Sequence, residues 1–162
     1  MDHSDTLLTI AELGVALAGF ATLVTVIARH RNGHTPAIGL RLINLLEVAL
    51  RNVAFAVLPL PFLESFASNS NMWRVGSGLY LVVVWVHYIF RIPGTGVVTE
   101  RWHGISIWVL LGATSLVAIA NVFGLAGSNA FSLYIANLLL GLAVSGLHFL
   151  SVANGVLRME QD

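Results

Sequence analysis

Five long apolar stretches separated by short polar segments set the pattern of the chain, at 6–28, 36–60, 72–91, 104–124 and 130–157. Each reaches the roughly 20 residues a helix needs to cross about 30 Å of hydrocarbon at a rise of about 1.5 Å per residue. The pattern therefore predicts an all-α bundle of five transmembrane helices. No connection exceeds about a dozen residues, so nothing outside the bundle is large enough to fold as a second domain. The first stretch carries one charge, Glu12, and closes on Arg29, His30 and Arg31. The second opens at Thr35-Pro36, a helix cap followed by the proline that a first turn tolerates, and Pro59 and Pro61 should stop or kink it. The third follows Ser70-Asn71 and ends at Arg91, and the fourth and fifth carry no charge at all.

Composition sharpens this picture. The chain is 57% hydrophobic and 10% charged, far from the balance of an ordinary soluble domain. Its formal net charge is zero, with eight basic and eight acidic residues and no lysine, so it offers no basic surface for nucleic acid. The absence of lysine excludes Schiff-base cofactors and the lysine of a phosphate-binding loop. The absence of cysteine excludes disulfides, thiolate nucleophiles and Cys-ligated metals. Asp2 and Asp5 stand where a secretory signal would place basic residues, so the first span is expected to remain in the mature protein. Arg29, Arg31, Arg41, Arg91, Arg101 and Arg158 flank one side of the proposed spans, and Arg74 alone flanks the other. Basic loops resist translocation, so the expected topology has the N-terminus outside and the C-terminus in the cytoplasm of a bacterial-type plasma membrane. Trp73, Trp102, Trp108 and Tyr134 fall near window ends, where they are expected to anchor at the headgroups.

Polar side chains inside the spans are the main functional evidence, since a charge near the bilayer centre costs about 2.5–3.5 kcal/mol on insertion scales. On the second span Arg41, Asn44, Glu47 and Arg51 recur at steps that keep them on one side of the helix, with Glu47 and Arg51 spaced to pair. Two readings follow, an internally neutralised clip to neighbouring helices and a polar lining for ions or protons. The third span carries Ser77, Tyr80, His87 and Arg91 on one face, and the fifth carries Tyr134, Asn137, Gly141, Ser145, His148 and Ser151. Both faces are expected to turn inward. Glu47, Arg51, His87 and His148 then share the inner half of the bundle. His87 and His148 on parallel spans also admit a bis-histidine haem b, against the plainer reading of two neutral imidazoles in hydrogen bonds. His30, His34 and His103 have metal-ligand chemistry, but the Asn32-Gly33 turn breaks helical spacing, so no metal site is expected.

The first span is distinct. Glu12, Ala16, Gly19, Leu23 and Val26 lie along one face, and Ala11, Ala18, Thr22 and Thr25 keep its flank narrow. Small residues allow close helix approach in lipid, so Ala11, Ala18, Gly19 and Thr22 are expected to pack against another span of the same chain or of a second copy. Copies gathered on this face would place a ring of Glu12 near the outer end and an apolar constriction at Leu23 and Val26. Catalysis is not expected. Ser145 and His148 have no acidic partner nearby in sequence, and Gly94-Thr95-Gly96 follows no strand. The leading expectation is a homo-oligomeric permeation protein, an ion or proton channel or small transporter, in which Glu12 is the outer charge and Arg41, Asn44, Glu47, Arg51, His87 and His148 form the inner polar network. The alternatives are a non-catalytic subunit scaffolding a larger membrane complex and a haem b electron carrier.

Overall fold

In a computed structural model, residues 3–32, 36–63, 70–91, 101–125 and 127–158 are described. The helices are α1 (His3–Asn32), α2 (Pro36–Val57), α3 (Ser70–Arg91), α4 (Arg101–Val122) and α5 (Ala130–Arg158), with short 3-10 turns at Leu60–Phe62 and Gly127–Asn129. Among the described residues there is no strand. Each helix contains a segment long and apolar enough to cross a membrane: His3–Val24, Leu42–Phe62, Ser70–Phe90, Gly104–Val122 and Gly127–Asn154. Among the described residues the fold is thus all-helical, with the five long apolar helices expected from the pattern and their ends within a few residues of the windows.

Local chemistry explains the breaks. After Leu58 N donates to Ala54 O at 2.8 Å, the two prolines end α2, and Phe62 N bonds back to Pro59 O at 3.0 Å. At the end of α4, Leu125 N reaches Ala120 O and Gly124 N reaches Asn121 O, both at 2.9 Å, the paired bonds of a Schellman cap. That cap needs a left-handed residue, and Gly124 has φ of 72°. Arg74 closes over it, donating to Asn71 Oδ1 at 3.2 Å and to Gly127 O at 3.4 Å.

Helix α5 is the hub. It packs against all four other helices, while α1 also packs on α2 and α3 on α4. Its span is 44% buried, against 28% for each of the others. Contacts across the bundle give the register: His3 lies against Trp73 and Phe131, Gly14 against Val53 and Leu142, and Tyr80 against Asn52 and Gly141. Helices α1, α3 and α5 therefore run one way and α2 and α4 the other. We call the two ends of the bundle the His3 end and the Arg158 end. Three glycines permit the closest approaches: a methyl on Gly14 would sit 2.6 Å from Val53, one on Gly76 would sit 2.9 Å from the Tyr134 ring, and one on Gly141 would run into Tyr80 and Asn52.

Two of the expected interfacial anchors do other work. Trp73 is 5% and Tyr134 1% exposed. They join Phe131 and His3 in an aromatic cluster, with Trp73–Phe131 and Trp73–Tyr134 centroids 4.9 and 5.4 Å apart. Burial of large aromatic area against neighbouring helices outweighs a headgroup position for these rings. Trp108 is 55% exposed on the outer surface, and the side chain of Trp102 lies outside the described residues.

Candidate functional site

The polar face of α5 turns inward as its spacing requires. Tyr134, Asn137, Gly141, Ser145 and His148 are all buried, and Ser151 is half-buried. From α3, Ser77 and Tyr80 are fully enclosed and His87 is partly so. These side chains form a buried polar column along the hub. Near the His3 end, the two N–H of Asn121 Nδ2 on α4 are shared among three acceptors, Ser77 Oγ at 2.7 Å, Ala130 O at 2.9 Å and, more distantly, Trp73 O at 3.3 Å. Asn137 Nδ2 donates to the same Ser77 Oγ at 3.4 Å. At mid-height the Tyr80 hydroxyl donates to Asn52 Oδ1 at 2.7 Å, and Asn52 Nδ2 donates to Val48 O at 3.0 Å. Ser145 closes onto Gly141 O at 3.2 Å. The Tyr134 hydroxyl ties α5 to α2 through Phe55 O.

Toward the Arg158 end the column becomes ionisable. His87 Nδ1 lies 3.5 Å from Glu47 Oε2, which joins α3 to α2. The spacing of Glu47 and Arg51 along α2 also allows a pair within the helix. Arg51 places its guanidinium 5.8 Å from the centre of the Tyr80 ring, a cation–π arrangement. Tyr80 meets Gly141, and Gly76 meets Tyr134, so seven residues further along the parallel pair His87 falls level with about His148. The structure thus brings together Glu47 and His87, sets Arg51 on Tyr80, and buries His148 at the same height as His87. Asn44 is half-buried on the same stripe, and the side chain of Arg41 lies outside the described residues. So do those of His30, His34, His103, Arg91 and the other flanking arginines apart from Arg74. Among the described residues no group of His, Asp and Glu is arranged to hold a metal.

The first helix is divided between two surroundings. Ala11 is 7% exposed and packs into its own bundle beside Leu7 and Ile10, the first of the two placements its small size allowed. Glu12, Ala16, Gly19, Thr22, Leu23 and Val26 are exposed, Ala18 is half-buried, and nothing lies within 4 Å of a methyl built on Gly19. The Thr22 hydroxyl is occupied by Ala18 O at 3.0 Å. Glu12 stands about nine residues, or about 14 Å of rise, past His3 on α1. Around Glu12 the outward surface carries Leu8, Leu13 and Val15, 45–57% exposed, together with the exposed Thr9 and, a turn nearer His3, Asp5.

Sequence reasoning passed over Asn52, Asn121 and Thr114, all enclosed. Each is a single amide or hydroxyl within an apolar span, and that intrusion was the available signal. A separate cavity of about 230 Å³ lies between α2 and α3 at the His3 end, lined by Phe55, Phe62, Trp73, Leu79 and Tyr134 among others. Its lining is apolar and holds none of the expected site residues.

The class defined by this fold is a helical bundle with five helices long and apolar enough to span a membrane, built around a polar column. No protein-family model matches the chain, and no match to it was found among curated proteins or solved structures.

Proposed function

We propose that the protein is a multi-pass plasma-membrane protein, N-terminus outside and C-terminus cytoplasmic, that associates with copies of itself through α1 and passes ions or protons. The observation that carries this reading is the position of Glu12. This carboxyl, within the apolar stretch of α1, is exposed on the outer surface beside Leu8, Leu13 and Val15 and has no ion pair or hydrogen bond among the described residues. Facing acyl chains, its charge costs at least about 2.5 kcal/mol, whereas facing the same residue of other copies it sits in a shared polar axis. The open surface at Gly19 and the exposed Ala16 allow backbones to approach there. Leu23 and Val26, further along the same face, supply an apolar constriction of the kind that gates by dewetting. The Glu47–His87 contact and the buried His148 form a second, ionisable layer toward the cytoplasmic end.

The test is flux into liposomes from purified protein, with proton- and cation-sensitive dyes, comparing wild type with Glu12→Gln and Glu47→Gln. The reading expects flux that falls at least tenfold in Glu12→Gln, whose side chain keeps the shape and loses the charge. Flux unchanged by both substitutions removes permeation and favours a scaffolding subunit whose α1 face meets a different chain.

A further inference from the structure

Polar atoms enclosed in an apolar bundle require partners, and in folded proteins those that lack a protein partner are met by ordered water. The buried column has two groups of such atoms, on either side of mid-height. Toward the His3 end, Ser77 Oγ accepts from both Asn121 and Asn137, so its own O–H has no acceptor among the described residues. The Oδ1 atoms of Asn121 and Asn137 have no donor. All three residues have zero exposure. One unmet donor and two unmet acceptors match the capacity of a single water molecule, which donates twice and accepts. Toward the Arg158 end, Asn44 Oδ1, Arg51 Nε and the Tyr88 hydroxyl are buried without hydrogen-bond partners among the described residues. Asn44 and Tyr88 each lie eight residues, about 12 Å of rise, beyond the Asn52–Tyr80 contact, so both sit at one level. Between the two groups the column is satisfied and closed. The Tyr80 hydroxyl donates to Asn52, Asn52 donates to Val48 O, and both side chains fill the space that Gly141 leaves by having no side chain.

We infer that each copy encloses its own hydrated pathway, with water held by Ser77, Asn121 and Asn137 on one side and by Asn44, Arg51 and Tyr88 on the other. A dry septum of Tyr80 and Asn52, closed against Gly141, separates them. The ligand class is water, and with it protons moving along hydrogen bonds. This pathway runs inside one bundle and does not depend on the α1 surface or on Glu12.

The test uses wild-type protein in nanodiscs with 15N-labelled asparagine, reading magnetisation transfer from water to each side-chain amide. Transfer is expected at Asn121, Asn137 and Asn44 and absent at Asn52, a wet–dry–wet order along the column. No transfer at Asn121 and Asn137, as when the Asn137 amide is turned to accept the Ser77 hydroxyl directly, overturns the inference. Transfer at Asn52 equal to its neighbours overturns the septum. As a second measurement, Asn52→Ala in liposomes opens the septum and raises proton flux several-fold, an increase that persists in the Glu12→Gln background. Loss of the increase in that background assigns conduction to the shared axis and contradicts an internal path. Retention of it while Glu12→Gln alone is inert separates the two readings in favour of this one.

Discussion

Two glycines put the packing argument in its most local form. At Gly141 a methyl group would collide with the Tyr80 hydroxyl and the Asn52 amide, and neither can withdraw without breaking the hydrogen bond between them. Gly141→Ala is expected to destabilise the bundle by about 1–3 kcal/mol, the usual range for overpacking a tight core. Gly19 meets nothing within 4 Å. Gly19→Ala should leave folding unchanged or slightly improved and weaken only self-association. Denaturant titration in mixed micelles separates the two variants, and equal losses would show that both glycines sit in packed surroundings. Tyr80→Phe removes one buried hydrogen bond and leaves Asn52 Oδ1 without its donor. The expected cost is about 0.6–2 kcal/mol, the range for interhelical bonds in membrane bundles. At this scale the sequence was legible where polar residues repeat every three or four positions, as from Asn137 to His148. It was not legible at Asn52 and Asn121, because a solitary amide has no period. Asn121 has meaning only through acceptors on α3 and α5, which lie nearby only after folding.

At the scale of elements, hydropathy set the number of helices and chemistry at the ends set their bounds. The proline pair after Val57 and the Gly124 cap were both readable as terminators, and both act so. Gly124→Ala forces a side chain into left-handed backbone and places its methyl 2.9 Å from the Arg74 guanidinium. A loss of about 1 kcal/mol or more in thermal unfolding is expected, and no change would mean the cap is not formed. Aromatic residues near window ends were ambiguous, since an interfacial anchor and a helix–helix contact share the same position and composition. Contact with His3 and Phe131 decided for the interior at Trp73 and Tyr134. The contact of Glu47 with His87 was equally out of reach. Spacing along α2 offers Arg51, and the approach of α3 adds His87.

For the whole molecule, the division of α1 is the central feature. One side, with Leu7, Ile10, Ala11 and Ala21, is held in the core, and the other carries the exposed Glu12, which has no partner among the described residues. Orientation belongs to this scale too. With the arginine-flanked loops inside, a reporter fused after residue 158 should be active only when it is a cytoplasmic reporter, and activity of a periplasmic reporter there would invert the topology. The most direct measurement is the mass of the wild-type protein released from native nanodiscs, set beside that of Glu12→Leu. The α1 interface predicts several copies per assembly for wild type and a changed copy number once the carboxyl that closes the axis is replaced. A single copy in both, at full recovery of folded protein, would contradict it.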